Sequence, residues 1–501
     1  MEKGNKQPLL SSLERDEDKQ HSLSGRVIAT ATTTTTSSFF ATFKADSNDI
    51  PPITGVRDFF REFYNEFKKL WYLAGPAIFT SICQYLLGGI TQLFCGHIST
   101  IAQAAYSVED YVLGLLSYGA MVLGMGSALE TLCGQAYGAR QIDMLGIYMQ
   151  RSMVILHMTA LIFMFVYIFA EQILNLIGQS PEISKATGKF SIWMIPQLFA
   201  FAGVFPVSKF LQAQNKIMVM SVISAVVLVL HTLFSWLLML KLGWGLVGAA
   251  VVLNASWWVI EISQFLYVVS GTCGRAWSGF SWRAFQNLWA FVRLSLASAL
   301  MLCLEMWYFM VLIIFAGYLE NPKVSVDAMS ICMNILGWAV MVAVGLNAAI
   351  SVRVSNELGA GHPRSAQISL FVAVISGFLM GLVFSFILFF TRDQYPALFS
   401  KDKQVRDLVS ALTPLLAISL TTDSIQPVLS VAIGAGWQGV VAYVNIACYY
   451  ILGIPLGLIL AYKFNMGLDG SLIPEIIFSG DLVGYDFRDS RTDLCYFLDD
   501  L

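Results

Sequence analysis

Two carboxylic acids stand where a membrane would leave them without water. Glu305 lies in the run MLCLEMWYFM and Asp423 in LTTDSIQPVL. An ionisable side chain near the centre of a bilayer is costly, so each is a functional candidate by default. Apolar surroundings suit a carboxyl to taking up and releasing a proton during transport. Asp423 also precedes Pro427 by four residues; a proline frees a backbone carbonyl nearby and lets the helix bend. The plainer reading is a pair of buried acids satisfied by Tyr, Asn or Thr hydrogen bonds, and the residues alone leave both readings open.

Other polar groups in apolar runs are weaker candidates. Glu261, in WWVIEISQF, is either a cavity acid or one that is paired or reached by water. Gln84, in SICQYLLGG, precedes Glu305 by 221 residues and cannot titrate; with Tyr85 it would line a solute cavity or hydrogen-bond one helix to another. Glu109 and Asp110 read as the opening of a second span, where carboxylates suit a helix N-terminus. Glu130, Arg353 and Glu357 sit at span ends and would form a charge network that acts as a gate rather than a substrate site. His157 and His231 are singletons, read as satisfied core residues, since no second histidine has metal spacing.

The remaining chemistry is excluded by what is missing from the string. No CxxC, HExxH, nucleophile–base pair or phosphate loop occurs, so neither an enzyme, a metal centre nor a bound cofactor is expected. Of eight cysteines, Cys83, Cys95, Cys133, Cys303, Cys332 and Cys448 fall in or at the ends of apolar segments, where free buried thiols are expected.

Long helices must hold these side chains. The chain has 501 residues, 56% hydrophobic and 13% charged, against about 25% charged in a soluble domain. Apolar stretches near twenty residues recur from about 70 to 463, each long enough for a hydrocarbon core of roughly 30 Å. The expected spans are 70–96, 104–131, 146–170, 188–213, 217–240 and 246–270, then 288–317, 326–352, 366–391, 406–433 and 439–463. The chain is therefore expected to be an all-α polytopic membrane protein with the lipid bilayer as its surroundings. A net charge of −3 argues against a nucleic-acid partner, and no obligate protein partner is evident.

The spans fall into two copies of one unit. Gly124–Gln141, GMGSALETLCGQAYGARQ, pairs without a gap with Gly345–His362, GLNAAISVRVSNELGAGH, 221 residues downstream. Gly124/Gly345, Ala128/Ala349, Gly138/Gly359 and Ala139/Ala360 are identical. Phe67 and Leu70-Trp71 match Phe285 and Leu288-Trp289, and Pro206 matches Pro427, at nearly the same offset. Such a repeat is the usual signature of a two-lobed transporter.

The divisions follow. Residues 1–66 are polar and read as a disordered cytosolic tail, in which Leu9-Leu10 is either a sorting signal or ordinary solvated chain. No signal-peptide pattern occurs, so the first span is expected to direct the protein to the membrane. The first lobe is 67–270, a cytosolic loop 271–287 follows, and the second lobe is 288–463. Arg and Lys concentrate in alternate loops, including Arg140, Arg151, Lys209, Lys216, Arg275, Arg283, Arg353 and Arg364, which puts the N-terminus in the cytosol. Residues 464–501 form an acidic tail too polar to span, so the second lobe is expected to have five helices rather than six.

Several strings resemble the plant branch of the multidrug and toxic compound extrusion (MATE) family: MGSALETLCGQAYGA (125–139), MLGIYMQRS (144–152), FLQAQNK (210–216), WAFVRLSLASALMLCLEMWY (289–308), SICMN (330–334), AAISVRVSNELGAG (348–361) and GWQGVVAYVNIACYY (436–450). Together they run from about 67 to 465, and the resemblance is lost past 470. It implies a V-shaped bundle of two six-helix lobes and export of small organic solutes against ion entry. It places matching carboxylates at Glu305 and Asp423 and assigns them to proton coupling in the second lobe, with the proton as coupling ion. The first lobe lacks the aspartate that bacterial relatives carry in the first span.

The chain is also similar to a vacuolar subgroup linked to flavonoids or to anion conductance, which favours the vacuolar membrane over the plasma membrane. The expectation is a secondary active antiporter exporting xenobiotics, flavonoid-type compounds or other secondary metabolites. An anion channel or uniporter of the same fold, or a truncated non-functional product, stands as the alternative.

Overall fold

A computed structural model describes residues 49–51, 55–119, 121, 126–286, 288–289, 291–293, 295–296, 304, 308, 311, 322–399, 402–424, 443 and 446–464. Its described elements are all helical. The tail expectations for 1–48 and 465–501, most of the expected seventh span and Glu305 itself lie outside these residues.

Helix α1 runs Val56–Ile98, so it begins well inside the segment expected to be an unfolded tail. That expectation fails for residues 56–66 because Phe59 and Phe63, four apart on one helix face, have something to pack on. Phe59 meets Phe371 with ring centroids 5.7 Å apart, and Phe63 lies against a cluster that includes Leu346, Ile350 and Val372 of the second half. Composition underrates such a segment when its apolar face is completed by distant chain.

The expected second span is several pieces. Helix α2, Thr100–Val108, is capped by Ser99, whose Oγ accepts from the Ala102 amide at 3.0 Å. It continues through wider π turns, Glu109–Gly114, into Leu115–Tyr118; helix α3, Gly126–Gly138, follows. Glu109 and Asp110 thus lie inside the helix and do not open it. A serine, not the acidic pair, satisfies the first free amides.

The rest of the first half comprises α4 Ile142–Ile168, the short α5 Ala170–Ile177, α6 Pro181–Ala213, α7 Ile217–Lys241 and α8 Gly245–Thr272. The second half supplies α9 Pro322–Gly359, α10 Pro363–Thr391, α11 Lys403–Asp423 and α12 Tyr449–Lys463. Eight of the described helices are long and apolar enough to cross a membrane. On α7, Val222, Val226, Val229 and Leu233 form an exposed apolar stripe, as expected of a lipid-facing surface.

Each half has its own core. Phe201, Phe205 and Trp257 anchor the first, with Phe201 and Trp257 edge to face at 4.7 Å. Met329, Cys332, Leu336, Val409 and Leu416 anchor the second. The connection after α8 is not a free loop. Gln150 of α4 accepts from the Ser281 amide at 2.9 Å and donates to the Gly279 carbonyl at 3.0 Å.

Candidate functional site

The two copies of the repeated stretch pack on each other. A Cβ on Gly138 would meet the carbonyl oxygen of Asn356, and a Cβ on Gly359 would meet that of Gln135. Gly138 and Gly359 are equivalent in the repeat, and so are Gln135 and Asn356. The contact is therefore reciprocal, as in a two-fold interface. Gly134 abuts Ser355, and Gly345 lies against the backbone of Ile78 on α1. Small residues are what let backbones come this close between helices. Seen this way, the motif that stands out in the sequence is a seam between the lobes.

A charge network closes the same end. Glu66 of α1 receives the Arg353 guanidinium twice, from Nε at 2.8 Å and Nη2 at 3.0 Å. The third guanidinium nitrogen, Nη1, meets Glu357 at 2.7 Å, and His362 Nδ1 lies 3.0 Å from the other Glu357 oxygen. Ser369 of α10 donates to Glu66, and Lys69 stands 3.9 Å from it. Arg353 thus ties a first-half carboxylate to a second-half one, in the bidentate geometry that guanidinium favours. Glu130 does not belong to this network. It pairs at 2.8 Å with Lys209 of α6, inside its own half. Glu66 is the partner that sequence reasoning missed, because it fell in the segment assigned to the tail.

About two helical turns from the Ile78–Gly345 crossing, the lobes meet again through side chains. Tyr85 of α1 and Trp338 of α9 make an edge-to-face contact, centroids 5.2 Å apart and planes at 77°. Trp338 is still 44% exposed, so the space beside the pair is open. Asn334, one turn along α9, and Gly89, one turn along α1, are exposed as well. Asp110 and Tyr111 of α2 are also exposed, and the Asp110 carboxylate acts electrostatically on the Tyr85 and Tyr111 hydroxyls. An aromatic pair with an acid and an amide beside it can hold a flat organic molecule by stacking and a few directed hydrogen bonds.

The other sequence candidates are spread more widely. Tyr85 lines this space, and Gln84, next to it on α1, is half-buried. Glu261 is half-buried on α8, against Gly203 of α6. Asp423 ends the described part of α11, half-buried, beside Ser424, which packs on Gly381 of α10. With Glu305 outside the described residues, how the two acids face each other is not part of this geometry. His231 is held between Thr91 at 3.0 Å and Ser256 at 2.8 Å, the satisfied core residue that was expected. Trp338 was not singled out by sequence, since a lone tryptophan in GWAVM carries no periodic signal; Asn334 entered only within SICMN, and Asp110 only as part of a helix opening.

The family described as MatE matches residues 76–237 and, a second time, 297–459. The two matches begin 221 residues apart, the offset of the repeat. The protein DETOXIFICATION 29 of Arabidopsis thaliana is 65% identical over 424 residues, 84% of this chain and 85% of that protein. DETOXIFICATION 32 of the same plant is 62% identical over 442 residues, 88% of this chain and 84% of that one. The crystal structure of the eukaryotic MATE transporter AtDTX14 superposes with a TM-score of 0.80 at 33% identity, covering 85% of this chain and 96% of that chain.

Proposed function

The chain belongs to the MatE family of multidrug and toxic compound extrusion transporters, and from that premise we propose that it is a secondary active antiporter exchanging protons for organic solutes leaving the cytosol. Solute sits in the space beside Tyr85 and Trp338. When the seam of α3 and α9 parts, that space is reached from the cytosol. When it closes, solute leaves on the other side. Glu305 and Asp423 carry the protons, with the acidic lumen of the vacuole as their source, and the N-terminus lies in the cytosol. One pH unit is worth about 1.4 kcal/mol per proton, enough to bias a carrier whose two states lie close in free energy.

The observation that carries this reading is the reciprocal Gly138–Gly359 seam, braced by Arg353, under an aromatic pair that remains open. A transporter that exposes one binding space alternately to two sides needs such a closable end. The Asp423 position, beside the hydroxyl contacts of α10 and α11, suits a group whose ionisation alters helix packing.

The test is solute efflux from proteoliposomes with and without an imposed proton gradient, for wild type, Glu305→Gln and Asp423→Asn. Gradient-driven efflux that the variants lose is the expected result. Gradient-independent anion flux that the variants keep would instead establish a channel or uniporter of this fold.

A further inference from the structure

The connection between the halves carries aromatic and basic side chains that neither the seam nor the solute space uses. Residues 262–304 contain three arginines, Arg275, Arg283 and Arg293, and no acid. Phe280 and Trp282 are 83% and 86% exposed, and Phe285 and Trp289 are exposed as well. The rings are grouped, not scattered singly. Trp277 packs edge to face on Phe265 of α8 at 5.8 Å and on Phe280 at 5.5 Å, and Trp282 lies 5.6 Å from Phe285. A grouped apolar surface left outside the core marks a site of interaction.

The backbone beneath the rings is fastened. Buried Gln150 of α4 holds both the Gly279 carbonyl and the Ser281 amide. Arg151, next to it, donates to the Arg283 carbonyl at 3.3 Å. The Ala276 carbonyl comes so near α4 that a Cβ on Gly146 would stand 2.7 Å from its oxygen. A segment tied down in this way cannot turn over to bury its rings in the protein.

Helix α4 also sets the depth of this segment. Its 27 residues make a rod about 40 Å long, against a hydrocarbon core of roughly 30 Å. Ile162, Phe165 and Ile168 are exposed and apolar at one end, as lipid-facing residues are, whereas the exposed Asp143–Arg275 ion pair at the other end suits water. The surplus of about seven residues therefore falls on the first two turns. That puts Gln150, and the segment it holds, at the edge of the hydrocarbon. Tryptophan rings and the heads of long basic side chains gather at this level. The exposed stripe Ile262, Leu266 and Val269 of α8 leads into the same surface from the lipid-facing side. Trp289 and Arg293, one helical turn apart, are both exposed.

We propose that this connection is a binding site for anionic phospholipid of the adjoining leaflet. The rings of Phe280, Trp282, Phe285 and Trp289 enter the headgroup region, and Arg283 and Arg293 bind the lipid phosphate. The depth and the rings favour a lipid over a water-soluble phosphate compound. The cytosolic leaflet is the anionic one, in keeping with a cytosolic position for the seam end of the molecule. The inference requires only that the chain spans a membrane, and it stands whether or not transport is coupled to protons.

Two measurements on the full chain in vesicles test it. In a background without the eight native cysteines, Phe280→Cys carrying a nitroxide should collide more with oxygen, which concentrates in the bilayer, than with a water-soluble nickel chelate. The opposite order would place the connection in water, as a surface for a soluble partner, and overturn the proposal. In phosphatidylcholine vesicles, phosphatidylglycerol with brominated chains should quench the fluorescence that Trp282→Phe and Trp289→Phe remove, and do so at a lower mole fraction than brominated phosphatidylcholine. That preference should fall about fivefold for each of Arg283→Gln and Arg293→Gln. Equal quenching by the two lipids, or a preference that survives both substitutions, would overturn the proposal and leave an aromatic belt without a lipid site. If the arginine variants do not fold, added salt must weaken the wild-type preference by screening, and a preference indifferent to salt overturns the proposal equally.

Discussion

Replacing Arg353 by glutamine removes the cation that sits between Glu66 and Glu357, whose side chains are 2% and 4% exposed. Taking one partner from a buried ion pair costs about 3–5 kcal/mol, because the other charge is stranded. Lys69 and His362 are near enough to recover part of this, so about 3 kcal/mol is the working figure. Parting the seam would hydrate both carboxylates and relieve that cost. The effect should therefore appear as a shift from sealed to open and not as unfolding, by roughly a hundredfold in population.

Ser355 reports on this directly, since it is fully buried against Gly134. In a background without the eight native cysteines, Ser355→Cys should be alkylated by a bulky maleimide up to about a hundred times faster when Arg353→Gln is added. Adding Glu66→Gln as well should return the rate most of the way, because the stranded charge is gone. An unchanged rate in a folded Arg353→Gln protein would refute the argument that this ion pair holds the seam.

The glycines predict the same readout by another route. Gly359→Ala places a Cβ 2.7 Å from the Gln135 α-carbon and into its carbonyl; backbone cannot swing aside, so about 1–3 kcal/mol of overpacking should raise Ser355→Cys alkylation. Gly75→Ala, with nothing within 4 Å, should leave it unchanged. Lys209→Met strands Glu130 within the first half, so the thermal midpoint should fall while alkylation at the seam stays at the wild-type rate. Trp338→Ala removes the ring contact with Tyr85, worth about 0.5–1.5 kcal/mol, and should raise KM for aromatic solutes by about two- to tenfold.

The spans and the repeat could be read in the sequence because both are long-range regularities: runs of apolar residues and a string that recurs at a fixed offset. That α7 spans needs nothing beyond its own 25 residues, Ile217–Lys241. The expectation failed where a short segment depends on a partner far along the chain. Residues 56–66 look polar until Phe59 and Phe63 meet α10, and with them went Glu66, the carboxylate that Arg353 binds. The charges of the repeat were expected to act together, yet Glu130 points to Lys209 and Glu357 to Arg353. The repeat equates positions, not side chains, and nothing in the string says which way a helix turns its acid. Glu109 and Asp110 were misread for a similar reason. Two acids before an apolar run look like a helix start, but Ser99 already caps α2, and π turns send the two acids to different surroundings. Tyr85 and Trp338 come together only because α1 and α9 cross, which no local pattern records.

The central claim is that the seam between the repeated stretches must open and close in each transport cycle. Gly134→Cys with Ser355→Cys tests it most directly. A Cβ on Gly134 falls 2.5 Å from that of Ser355, and disulfide-bonded Cβ atoms sit about 3.8 Å apart, so a slight easing of the seam lets the bond form. The account predicts that oxidation stops solute transport in proteoliposomes and that reduction restores it, while either cysteine alone is indifferent to both. Transport that continues at its full rate with the seam covalently shut would contradict it.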